Sequence, residues 1–98
     1  MSTSMPELAA ALQAAEEGST TGGGWPGHLL AVQQDAWMLL VEVEASLVGL
    51  TRTRLAGGRV EHGQVREALR ALREPVLRSW PADEVERWRR VAELLSAR

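Results

Sequence analysis

Apolar residues recur at helical spacing from Leu29 to Leu55, and they cover more of the helix than one buried face requires. Leu29, Ala36, Leu40, Val43 and Leu47 form one stripe. Leu30, Trp37, Val41, Val48 and Leu55 form a second beside it. Val32, Leu39 and Leu50 widen the first on its other side. The apolar arc spans about half the circumference, against roughly 100° for an ordinary surface helix. Gln34, Asp35, Glu42, Ser46 and Arg52 lie opposite. The pattern predicts a long helix that opens near Trp25-Pro26, where proline suits a first turn, and stops at Gly57-Gly58.

Three shorter segments follow the same period. Met5 to Glu17 opens with Ser4 and Glu7 in capping-box spacing and ends before Gly18. It offers mainly Leu8 and Leu12 for burial, so weak docking is expected. Glu61 to Arg78 carries Val65, Ala68, Leu69, Leu72, Val76 and Trp80 at helical spacing. Pro75 cannot donate to the carbonyl of Ala71, so a kink or break is expected there. Pro81 to about Ala97 opens with Asp83, Glu84 and Glu86 near the favourable end of the helix dipole, and buries Val85, Trp88, Val91, Ala92 and Leu95.

The expected fold is therefore all-α. It is a small helical bundle on one long central helix, with two shorter helices folded back and a tethered N-terminal helix. Residues 1–17 form the accessory helix, 18–24 a Gly-rich linker and 25–98 the helical core domain. The linker, GSTTGGG, is flexible by composition. Trp37 and Trp88 are expected in the core or an interface. Trp25 and Trp80 sit at segment ends and are expected to be more exposed.

Composition narrows the function. At 98 residues the chain can build one modest core. Its formal net charge of -2 gives no overall pull toward nucleic acid or an anionic membrane. The absence of Cys excludes disulfides and thiolate chemistry. Phe, Tyr, Ile, Asn and Lys are absent too, and all have AT-rich codons. A GC-rich bacterial or phage genome explains this, so Arg in place of Lys is no sign of phosphate recognition. Met1 to Glu17 lacks the charge and apolar run of a secretion signal. Ala36 to Leu50 is too short to span a bilayer. A cytoplasmic protein, of the bacterium or of a phage host, is expected.

Candidate chemistry is sparse. Glu44 falls between the two apolar stripes, where a carboxylate must pair, reach solvent or bind a proton. A salt bridge to an Arg of another segment is the simplest expectation. Glu42 points nearly the opposite way, so the two are not an acid/base pair. His28 and His62 each stand near a helix start, without the spacing of a metal site. No cofactor is implied. Arg66, Arg70 and Arg73 line one face, and Arg87, Arg89 and Arg90 cluster later. They could contact phosphates in a helix-turn-helix, but Glu74 and Glu93 stand within pairing distance along the helix, and Asp83, Glu84 and Glu86 would repel DNA.

The sequence thus points to a small non-enzymatic protein–protein interaction module: an adaptor, an inhibitor or a phage or bacterial assembly component. Self-association through the long helix is expected, with Leu30, Trp37, Leu40, Val41, Glu44 and Val48 at the contact. A small helix-turn-helix-like DNA-binding regulator, using Arg66, Arg70 and Arg73, is the alternative.

Overall fold

A computed structural model describes residues 4–22, 27 and 30–97; the Val32 side chain also lies outside the described set. The expectations for Trp25, Pro26, His28 and Leu29 fall outside it. The described residues form four α-helices, α1 (Met5–Glu17), α2 (Ala31–Leu55), α3 (His62–Ala71) and α4 (Ala82–Ser96), with a 3-10 helix at Pro75–Ser79. They contain no strand.

Local chemistry sets the boundaries. Ser4 Oγ accepts from the Glu7 backbone N–H at 3.2 Å and caps α1. The Glu7 carboxylate, the other half of the expected capping box, pairs with Arg90 at 2.9 Å. The long helix was expected to open near Trp25-Pro26, but it opens at Ala31, because Leu30 is extended and caps it. Gln33 Oε1 accepts from the Leu30 N–H at 3.0 Å there. Gly57, at φ 85, ends α2. The Gly58 N–H reaches back to the Thr53 carbonyl and the Gly57 N–H to that of Arg54, a Schellman termination. The segment expected from Glu61 to Arg78 is broken as Pro75 requires: α3 stops at Ala71, and Pro75 opens the 3-10 helix.

One core joins all the elements. The stripe Ala36, Leu40, Val43 and Leu47 is buried on α2, as its spacing predicts. It meets Val65, Ala68 and Leu72, then Leu77, and Val85, Trp88, Val91, Ala92 and Leu95 of α4. α2 packs on every other element, and α4 packs on all three other α-helices.

Two expectations about packing need correction. α1 is firmly docked, because Leu8, Leu12 and Ala15 are all buried in the common core against α4 and α2. Two leucines at i and i+4, with alanines that let the backbones approach, supply enough apolar surface once α4 offers a matching face. Trp80 is also buried, at 6% exposure. Its place at a segment end suggested exposure, but the 3-10 helix packs on α2 and carries Trp80 inward.

Candidate functional site

The segment between α1 and α2 is gripped by two buried carboxylates. Glu44 of α2 is 8% exposed and Glu84 of α4 is 5% exposed. Ser19 Oγ donates to Glu44 Oε1 at 2.7 Å, and the Thr21 hydroxyl donates to Glu44 Oε2. Glu84 Oε2 accepts from Thr20 twice, from its N–H at 3.3 Å and its hydroxyl at 3.1 Å. The same oxygen accepts from the Trp80 indole N–H at 2.9 Å. The clasp therefore draws on α2, α4, the end of the 3-10 helix and the 19–21 segment.

Its electrostatics are set by burial. Loss of water pushes the Glu44 carboxyl above its ordinary value, and the nearby Glu84 charge pushes it the same way. The hydroxyls of Thr21 and Ser19 pull it down, and the Trp88 indole N–H adds a weaker pull without the alignment of a full hydrogen bond. Burial wins. Such a clasp can hold backbone in place and take up a proton.

Sequence reasoning singled out Glu44 but expected an Arg partner. Hydroxyls satisfy it instead, because residues 19–21 lie over it. The flexible-linker expectation is corrected for those residues, since each is hydrogen-bonded to a buried Glu or to a neighbour that is. Gly23 and Gly24 lie outside the described residues. Ser19, Thr20, Thr21 and Glu84 were missed as site residues. The Trp80–Glu84 spacing of four was the available signal, because it sets an indole N–H beside a carboxylate across a helix start.

The residues expected at a self-association surface divide between interior and surface. Leu40 is 0% exposed and Glu44 is in the clasp, so neither offers a face to another molecule. Leu40 belongs to the common core, and residues 19–21 and α4 lie against Glu44. Trp37, Val41 and Val48 are half-buried along one flank of α2, and Leu30 at its start is 67% exposed. Met38, at 56%, stands nearby on the outer face.

That outer face continues through Glu42, Ala45, Ser46 and Gly49, all exposed. Beside it runs an open groove of about 560 Å³ between α2 and α3, with Leu39, Leu50, Gly49, Gly63 and Ala71 among its lining. A Cβ added at Gly49 or at Gly63 would meet nothing within 4 Å among the described residues. Glycine inside a helix costs about 0.5–1 kcal/mol relative to alanine. Gly49, inside α2, gains no packing from the described residues in return.

Arg66, Arg70 and Arg73 are all exposed. Arg70 pairs with Glu67 at 3.2 Å, where Glu74 was the expected partner. Arg89 pairs with Glu86 at 2.7 Å and Arg90 with Glu7 of α1, where Glu93 was expected. Of the acidic residues at the start of α4, Glu84 turns inward and cannot oppose DNA, whereas Asp83 and Glu86 remain exposed. His62 is exposed at the start of α3. Among the described residues, no group of three or more His, Cys, Asp or Glu is placed to hold a metal ion, and no helix is long and apolar enough to cross a membrane. No protein-family model, curated protein or solved structure matches the chain.

Proposed function

We propose that the protein is a small non-enzymatic interaction module of the cytoplasm, an adaptor, inhibitor or phage or bacterial assembly component, built on α2 and associating with itself. The observation that carries this reading is the apolar surface left on α2. Leu30, Met38 and Leu55 are three of the four large apolar side chains exposed among the described residues. Trp37, Val41 and Val48 extend that surface as a half-buried flank. Covering one such side chain contributes about 1.5–3 kcal/mol, so a few per protomer can hold a dimer. Light scattering at high micromolar concentration tests it: a mass above the protomer supports it, and a strictly monomeric mass sinks self-association.

The exposed row of Arg66, Arg70 and Arg73 favours the second reading, a DNA-binding regulator. That reading requires affinity that falls steeply with salt as counterions are released. Changing the three to Glu would abolish it, whereas Val48→Asp would not. For the interaction module the pattern reverses, with weak duplex binding at physiological salt and damage from Val48→Asp. The net charge of -2 and the exposed Asp83 and Glu86 favour the module.

A further inference from the structure

We infer that the groove between α2 and α3 seats the α2 helix of a second copy of this chain, running antiparallel about a two-fold axis near Ser46 and Gly49. The inference rests on the self-association reading, but moves the contact from the Trp37, Val41 and Val48 flank to the groove side of α2 and gives it a direction. Three observations carry it.

The first is the pair of glycines. Gly49 lies deep within α2 and Gly63 in the first turn of α3, and both line the same groove. Neither has a positive φ, and no other described part of the chain comes within 4 Å of where a Cβ would stand. What glycine permits in a helix is close approach of another backbone. With Ala45 and Ser46 beside Gly49, the outer face of α2 is shallow enough for a second helix to come near. Leu39 and Leu50 then supply apolar walls.

The second is charge. The charged side chains on the exposed surface of α2 are segregated along its length, with Asp35 and Glu42 in the first half and Arg52 in the second. A parallel pair would set like charges together. An antiparallel pair sets acid against base at both ends. With the axis between Ser46 and Gly49, Glu42 comes opposite Thr53, beside Arg52. Two-fold symmetry makes each contact twice. Such complementarity fixes direction and register.

The third is Met38. It is 56% exposed on the same outer sector, one turn before Glu42. An antiparallel partner places the end of its own α2 over it, and a flexible thioether adapts readily to such a contact.

Sedimentation equilibrium of the full chain and its variants tests this, with circular dichroism as a check on folding. The parent is expected to reach dimer mass. Gly49→Leu fills the groove at a position with open space around it, so it should lose the dimer while keeping its helical signal. Glu42→Arg should also lose it, and adding Arg52→Glu to that variant should restore it, which no folding defect would do. A parent dimer untouched by Gly49→Leu and Glu42→Arg but dissolved by Val48→Asp would overturn the groove assignment and leave association through the Trp37 flank standing. A parent that stays monomeric would overturn both.

Discussion

The Ser19 hydroxyl donates to Oε1 of Glu44 across 2.7 Å, joining residues twenty-five positions apart and tying the end of α1 to the middle of α2. Thr21 holds the other oxygen of the same carboxylate. The clasp has a pH signature. Burial raises the folded-state pKa of Glu44 above 4.5, so folding favours its protonated form. The stability this adds is fully present below the unfolded value and is lost as pH rises through the folded one. Glu44→Gln mimics the protonated group at every pH. It should therefore be at least as stable as the parent at neutral pH, with a flatter stability profile above pH 4.5. Denaturant titrations across that range measure it, and a large loss of stability at neutral pH would contradict the account.

Glu84 has the opposite consequence when removed. Glu84→Ala strands the buried Trp80 indole N–H and frees the Thr20 contacts. An unsatisfied buried donor costs about 1–3 kcal/mol. For a domain of this size each kcal/mol lowers the melting temperature by about 4–8 °C. The thermal midpoint should fall accordingly, and near-ultraviolet circular dichroism should report a changed Trp80 environment.

Thr51 is fully buried on α2, and its hydroxyl has no hydrogen-bond partner among the described residues. Valine has nearly the same shape and no group to leave unsatisfied. Thr51→Val should raise stability by about 1 kcal/mol. A loss of stability would show that the hydroxyl is engaged.

Trp88 and Trp37 should separate on truncation. Trp88 is 2% exposed at the centre of the core, and Trp88→Ala should cost about 3–5 kcal/mol, enough to unfold a marginal domain. Trp37 is half-buried on the α2 flank, so Trp37→Ala should cost clearly less in the protomer. Comparing their urea midpoints below the concentration of association isolates the effect of burial.

α1 is part of the core, and its removal should be felt. Leu8 is 1% exposed, and Leu8→Ala should cost about 2–5 kcal/mol through the cavity it leaves. A change below 0.5 kcal/mol, on the scale of an ordinary surface substitution, would restore the picture of a loosely tethered helix.

Local chemistry settled much of this protein before any tertiary contact was known. Helical period placed Ala36, Leu40, Val43 and Leu47 on one buried face, and Val85, Trp88, Val91 and Leu95 on another. Gly57-Gly58 and Pro75 act through backbone geometry alone, so the end of α2 and the break after α3 were legible as well. What each face meets is a different matter, because periodicity gives an angle around a helix and names no neighbour. Leu30, Trp37, Leu40, Val41, Glu44 and Val48 lie on adjoining stripes of α2, but the common core takes Leu40, residues 19–21 take Glu44, and the others stay half-buried or exposed. Only that packing shows the depth of α1, the burial of Trp80 and the grip of Glu44 and Glu84 on residues 19–21. Those contacts join positions twenty-three to sixty-four residues apart, and hydrogen bonds over such separations form only once the apolar faces have brought the helices together.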